Sequence, residues 1–408
     1  MSQNNFFSAV EMAPADPIFG LRQKFMEDRR PEKIDLCVGV YLDEAGSCQK
    51  LDVVKNVEQE LLAKKERGEI PNVADYMPIA GHPGYINAAR TLLFGATSAA
   101  LADGRIISSQ AVGGTGALRY CADLFSKILP AKTILVSDPS WPVHRNIFSR
   151  AGYTVQNYPY YDARTHGLDI GGACSALKAA PKGSIVLLHA CCHNPTGIDP
   201  SRKDLSTIID IILEQGLFPL VDIAYQGFGE GLEEDAWLVR ELDRRGAQFA
   251  VAQSFSKNLS LYNRRCGAFH VRVQEKGDGE RLLSQLKTEI RVTNSNPPFD
   301  GAEIAATILT TPSHRAAWEQ EVTLMRTRIQ SLRAQFIDAL AAEGLGSRFE
   351  FLRGQRGMFS YTGLSKEQSI RLRDEFGVYI LESGRICVAA LNGKNLARSA
   401  QSVAAVLR

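Results

Sequence analysis

No apolar run in this 408-residue chain approaches the ~20 residues that a helix needs to cross a bilayer, which argues against a membrane-spanning protein. Residues 1–17 have no basic n-region, no apolar h-region and no Arg-rich amphipathic pattern, so they do not read as a signal or transit peptide. A cytoplasmic location is the expectation. A dominant charge is missing too. Lys and Arg number 47 against 45 Asp and Glu, and a formal net charge of +2 points neither to nucleic acid nor to an acidic membrane surface. The eight cysteines (Cys37, Cys48, Cys121, Cys174, Cys191, Cys192, Cys266 and Cys387) contain no CxxC pair, and several lie in apolar, strand-like runs. They read as reduced, buried thiols rather than a zinc set or a disulfide frame, and no metal site is expected. The chain also lacks repeats of fixed period, low-complexity tracts, a Walker loop and a complete GxGxxG. The last two absences count against ATP and NAD.

What is present is ordinary in amount and informative in order. The hydrophobic fraction of 45% and charged fraction of 23% allow large cores, and the length suggests two or three domains. Short apolar runs recur at 133–137 (TILVS), 184–189 (SIVLLH), 218–222 (FPLVD) and 249–253 (FAVAQ), each followed by polar or turn residues. Such runs suit strands buried on both faces of a mostly parallel sheet. Helix-like stretches such as 203–215 lie between them, so the order argues for an α/β layer fold with helices on both faces. From 313, Trp318, Val322, Met325, Ile329, Leu332, Phe336 and Leu340 recur at steps of three and four. This predicts one long helix, capped by Ser313 and ending near Gly344, that carries the chain from a large domain into a smaller α+β domain. Strands are expected there at 357–361, 378–381 and 386–389. The division is 1–47 (an arm and part of the small domain), 48–320 (the large domain) and 321–408 (the small domain).

Chemistry-bearing residues gather at the predicted strand ends, where ligands of open α/β sheets bind. Ser254-Phe255-Ser256-Lys257-Asn258 follows 249–253. Asp222 and Tyr225 follow 218–221, His193 and Asn194 follow 184–189, and Asp138 and Trp141 follow 133–137. A single Lys after a strand is usually a solvated surface residue; the convergence of four strand ends is what gives Lys257 weight. A further run, Gly113-Gly114-Thr115-Gly116, lies between the apolar stretch 106–112 and an amphipathic segment from Leu118. It reads equally as a plain glycine turn or as a phosphate cradle at a helix N-terminus.

The motifs SFSKN with a following arginine, NPTG, DIAYQGFG, GGTGALR and the C-terminal SGR together resemble the class I pyridoxal-phosphate aminotransferases of the aspartate and aromatic amino acid group. The similarity runs from about Asp16 to the C-terminus. It implies a fold-type I architecture, pyridoxal 5′-phosphate as cofactor, and amino-acid and 2-oxo-acid substrates. It also implies a homodimer with shared active sites. Lys257 would bond the cofactor's aldehyde and later shuttle a proton. Asp222 would hold the ring nitrogen protonated, with His144 behind it. Tyr225 and Asn194 would bond the ring's 3′ oxygen, and Trp141 would stack on the ring. Arg265, Ser254, Gly114 and Thr115 would hold the phosphate, with Tyr76 lent from the neighbouring subunit. Arg385 would clamp the substrate's α-carboxylate, beside the Gly39 N–H. Arg291 would reach from the partner to a second carboxylate.

Substrate range is mixed in the same comparison. Arg291, Thr115 and Asn296 resemble aspartate-type residues. Leu42 stands where aspartate-specific relatives carry a lysine, and CCHNPTG and QRGMFSYTGLS resemble the aromatic branch. The expectation is dual specificity for aspartate and aromatic donors, with 2-oxoglutarate as acceptor in a ping-pong mechanism. The alternatives are an aspartate-specific enzyme, a β-lyase or decarboxylase on the same cofactor, and a nucleotide-binding α/β protein.

Overall fold

The computed structural model describes residues 6–48, 50–70 and 75–408. Seven strands make the central sheet: β1 (Ile106–Val112), β2 (Thr133–Asp138), β3 (Thr154–Pro159), β4 (Ile185–His189), β5 (Phe218–Ile223), β6 (Phe249–Ser254) and β7 (Cys266–Arg272). Their order is β1-β7-β6-β5-β4-β2-β3. The run from β3 through β2, β4 and β5 to β6 is parallel. Strand β7 is antiparallel to both β6 and β1. The four runs predicted from apolar content are β2, β4, β5 and β6, each within one residue of its expected limits.

Alternation along each strand builds a core on either face. In β4, Ile185 and Leu187 face α1 (Gly113–Ile128) and α2 (Pro142–Arg150). Val186 and Leu188 face α3 (Arg202–Glu214), whose Leu205, Ile208, Ile209 and Ile212 form one stripe. Each face buries several aliphatic side chains, at ~1.5–3 kcal/mol per chain relative to exposure. Ser201 starts α3 with a reciprocal capping box to Asp204. A fourth helix, α4 (Lys276–Asn294), lies against α1 and β1.

The long helix, α5, spans Pro312–Ala342. It begins at Pro312, so Thr311 rather than Ser313 takes the cap position; proline's fixed φ suits the first helical residue, which needs no N–H partner. Its predicted apolar stripe is buried as a whole, together with Arg333 and Ile337. It packs against the helices Asp52–Glu66 and Asp300–Thr310 and against the C-terminal helix Leu396–Leu407. Beyond it, Phe359–Tyr361 pairs antiparallel with Arg385–Cys387, and Ile34–Asp35 pairs parallel with Val378–Tyr379. The amino-terminal segment is thereby joined to the carboxyl-terminal part of the chain. The run 386–389 is strand only to Cys387, then turns as a 3-10 segment, Val388–Ala390.

Candidate active site

The carboxyl ends of β4, β5 and β6 lie side by side: His189 pairs with Asp222, and Ile223 with Gln253. This register brings the loops after three strands to one edge. Asp222 is the next-to-last residue of β5 and is buried. The first turn of α2 delivers His144, whose Nε2 is 2.9 Å from Asp222 Oδ2. Its Nδ1 meets Ser140 Oγ at 2.9 Å. Burial opposes ionisation of Asp222, but the His144 hydrogen bond, with His144 and Lys257 close by, outweighs it, so the carboxyl lies below its usual range. Its other oxygen, Oδ1, has no hydrogen-bond partner among the described residues and is free to receive a cationic N–H.

Lys257 follows β6 by three residues. Its Nζ sits 4.7 Å above the Tyr225 ring and pairs with no carboxylate among the described residues. Burial, with the charges of Arg265 and Arg385, lowers its pKa from 10.5 to about 8, against the opposing pull of Asp222. A buried amine of this kind is a nucleophile near neutral pH. The Tyr225 hydroxyl is pushed upward, first of all by burial.

Of the two readings open for the glycine run, the structure takes the helix N-terminus, and the helix begins earlier than Leu118. The run is the first turn of α1 itself. No side chain among the described residues caps that end, so the amide N–H groups that follow Gly113 stay available. Gly113 has φ +66, and a Cβ there would lie 2.5 Å from Arg265 Nη2. Its N–H bonds the Arg265 carbonyl at 3.0 Å. Gly114 closes on Ser254, whose Cβ would be 3.2 Å from an added Cβ. Thr115 stands exposed in the same turn. Helix dipole, free amides, hydroxyls and a guanidinium thus gather at one point, a donor set suited to a phosphate dianion.

Arg385 is 2% exposed. Its Nη1 donates to Asn194 Oδ1 at 3.0 Å and its Nη2 to the Cys37 carbonyl at 2.7 Å, while Nε is buried without a partner among the described residues. The guanidinium lies 4.0 Å from the centroid of the Phe359 ring. Phe359 also meets the Tyr225 ring edge-on at 5.9 Å and approaches Gly39 so closely that a Cβ there would be 2.6 Å from Cζ. A fixed, dry guanidinium with donor capacity to spare is a carboxylate receptor.

Most of the anticipated residues therefore converge: Lys257, Asp222, His144, Tyr225, Asn194, Arg385, Gly39, Gly114, Ser254 and Arg265. Trp141 stands beside them, its ring edge-on to His144 at 5.2 Å. Two do not join within this chain. Tyr76 is 84% exposed, and Arg291, in the last turn of α4, bonds the Ser295 hydroxyl instead. Phe359, Ser140, His189 and the Cys37 carbonyl were not anticipated: Phe359, His189 and Cys37 touch residues far away in sequence, while Ser140 bonds His144 four residues on through a contact that no motif marks. His144, His189 and Asp222 also bring potential metal-ligand atoms within 4.8 Å of one another. The direct His144–Asp222 hydrogen bond accounts for two of the three; His189 is buried, its Nδ1 has no hydrogen-bond partner among the described residues, and burial, reinforced by His144, lowers its pKa to about 3.

The donor set fits pyridoxal phosphate: an uncharged-capable lysine for an aldehyde, a carboxylate oxygen for a pyridinium, a phosphate cup and a carboxylate clamp. Comparison with known proteins agrees. Residues 31–403 match the family "Aminotransferase class I and II". The chain is 47% identical to an aspartate aminotransferase of Pseudomonas aeruginosa, over 99% of this chain and 100% of the relative. It is 44% identical to an aromatic-amino-acid aminotransferase of the same organism, over 98% of each. The solved aromatic-amino-acid aminotransferase of Burkholderia pseudomallei, covalently bound to pyridoxal phosphate, superposes with a TM-score of 0.94 at 45% identity, covering 99% of this chain and 100% of that one. The chain belongs to the class I and II aminotransferase family, as a pyridoxal-phosphate-dependent aminotransferase.

Proposed function

We propose that the enzyme moves amino groups from aspartate and from aromatic amino acids to 2-oxoglutarate by a ping-pong mechanism. The observation that carries the reading is Arg385, a buried guanidinium held ready for a carboxylate on the same edge as Lys257. When bound, the cofactor supplies the electron sink for the bond broken at the substrate's Cα and holds the amino group between half-reactions. The protein's residues do the rest. Arg385 and the Gly39 N–H orient the α-carboxylate. Lys257, once released by substrate, would take the proton from Cα and deliver it, across the amino nitrogen, to the carbon of the cofactor's aldehyde. Asp222, backed by His144 and Ser140, keeps a proton on the ring nitrogen. The cup at the start of α1 fixes the phosphate, so the ring cannot drift relative to Lys257.

Breadth toward aromatic donors is supported by Leu42, an apolar residue where a cation would favour a second carboxylate, and by near-equal identity to relatives of both names. Arg291 and Tyr76 belong to the same proposal as residues lent across a homodimer, a role supported by family resemblance and by their exposure. So does a division at 47 and 320, supported by the pairing of Ile34–Asp35 with Val378–Tyr379. The eight unpaired thiols support a reducing, cytoplasmic setting.

The test is kcat/KM for aspartate, tyrosine and phenylalanine with 2-oxoglutarate. All three should turn over, and turnover of aspartate alone would refute dual specificity. Mixing holoenzyme with aspartate alone should release one equivalent of oxaloacetate and convert the cofactor's visible band. Release of carbon dioxide or ammonia instead would favour a decarboxylase or lyase.

A further inference from the structure

A second arginine is buried in a different place. Arg333, on the inner side of α5, is 4% exposed, and no carboxylate among the described residues pairs with it. Its Nε donates to Ser360 Oγ at 3.1 Å, and its Nη2 to the carbonyls of Gly357 and, at 3.2 Å, Phe359. These acceptors are neutral, and Nη1 has no partner among the described residues. A buried cation left with dipoles alone is unfavourable, and burial accordingly lowers its pKa to about 10.

Arg333 lines a cavity of about 470 Å³ between α5, the loop at Gly229–Glu230 and the segment 353–357. Two more arginines line it, but both are already neutralised. Arg353 pairs with Glu350 at 2.7 Å and with Asp338 at 3.2 Å, and Arg356 pairs with Glu230. They add no unpaired charge beside Arg333. Beside them Gly354 leaves the space open: a Cβ there would meet no heavy atom within 4 Å. A cavity of this size holds a small anion together with several waters. The site is separate from the substrate clamp but adjoins it, since Arg333 holds the carbonyl of Phe359, whose ring supports Arg385.

We infer that this cavity binds a small oxyanion, a carboxylate or a phosphate, which pairs with Arg333 and occupies its free Nη1. A bound anion would supply the countercharge that the chain itself does not provide. The inference does not depend on which amino donor the enzyme prefers.

The test is calorimetric titration of the holoenzyme with inorganic phosphate, and separately with acetate, at fixed ionic strength. Wild type should show saturable binding of at least one of the two. Gly354→Glu carries a carboxylate into the cavity at a position with ordinary backbone angles and free space. It should abolish that binding event or weaken it by about tenfold or more, the worth of one lost charge-assisted contact. Its transamination kcat/KM should stay within about twofold of wild type, as for a substitution outside the catalytic machinery. Arg333→Met should lose the same binding event; because it also frees the carbonyls of Gly357 and Phe359 and can fail to fold, Gly354→Glu is the deciding variant. Absence of saturable binding by either anion would overturn the inference. So would binding unchanged in Gly354→Glu, which would place the anion elsewhere, for example on Arg385.

Discussion

The two edges of the central sheet differ in a way that volume does not reveal. At the amino-terminal edge, the start of β5, the end of β7, the end of α1 and the first turns of α4 enclose about 680 Å³, lined by Phe125, Ile128, Leu129, Phe218 and Val271. The charged groups there include the Asp278–Arg281 pair on the rim and the buried Arg272, which is satisfied by Asp243 and the Gly246 carbonyl. The carboxyl-terminal edge holds polar groups that the protein buries without fully satisfying: Arg385 Nε, a free oxygen on Asp222, and a lysine with no carboxylate partner. Room is cheap to leave between helix ends. An unsatisfied buried charge is costly, and it persists where a ligand completes it. The chemistry is therefore marked by incomplete polar groups rather than by the apolar hollow.

If that contrast is right, the largest single effect belongs to Lys257. Lys257→Ala should lower transamination by about 10⁴-fold or more, the loss of covalent attachment together with the general base. The protein should fold and can still hold the cofactor through Arg265, Asp222 and the α1 cup. Steady-state rates with aspartate, and gel filtration with cofactor, check both halves. Substantial residual turnover would remove the carboxyl edge as the site.

Arg385→Lys is the next largest. It keeps the charge and loses the planar fork, leaving Asn194 Oδ1 and the Cys37 carbonyl without their donors. One charge-assisted contact is worth about 1.5–3 kcal/mol, so kcat/KM for any amino donor should fall about 10- to 150-fold. Rates with aspartate and phenylalanine should fall together, because the α-carboxylate is common to both. A loss confined to aspartate would show that Arg385 reads the side chain instead.

How much of this edge was legible in the sequence follows from how each residue acts. Lys257, Asp222 and Asn194 work at the ends of short apolar runs, so strand reading alone places them together. Phe359 and His189 work by contact, Phe359 beneath Arg385 and His189 beside His144, and no local pattern marks such contacts. Strand β7 was missed for a related reason. Its His270 and Arg272 look wrong for a buried strand, yet His270 is satisfied by Ser108 at 2.7 Å and Gln253 at 3.0 Å, and Arg272 by the Gly246 carbonyl at 2.9 Å. The helix after the glycine run was expected to start only at Leu118 because glycine usually breaks helices. Here the close approach of Arg265 and Ser254 requires it in the first turn.

A smaller effect is a matter of pH. The depressed Lys257 pKa describes the unmodified amine, so it is read in cofactor-free enzyme. The neutral form reacts with an aldehyde; it is scarce below the pKa and dominant above it. The rate of pyridoxal phosphate attachment should therefore rise as pH increases through about 8 and level off beyond it. Stopped-flow absorbance across pH measures this. A midpoint near the ordinary lysine value of 10.5 would mean that the carboxyl edge does not desolvate its lysine.

The smallest effect is expected at the other edge, and it carries the comparison's sharpest risk. Ile128 is 47% exposed and lines the larger cavity. Ile128→Ser removes apolar surface that is only half buried, so stability should fall by about 1 kcal/mol or less, read as a shift in the urea midpoint. Turnover should stay within about twofold, because α1 touches the chemistry through its first turn and Ile128 is its last residue. A tenfold fall in kcat/KM without a matching loss of stability would mean that the two ends of α1 are coupled. The amino-terminal hollow would then be part of the working enzyme, and unsatisfied polar groups would no longer suffice to locate function in this fold.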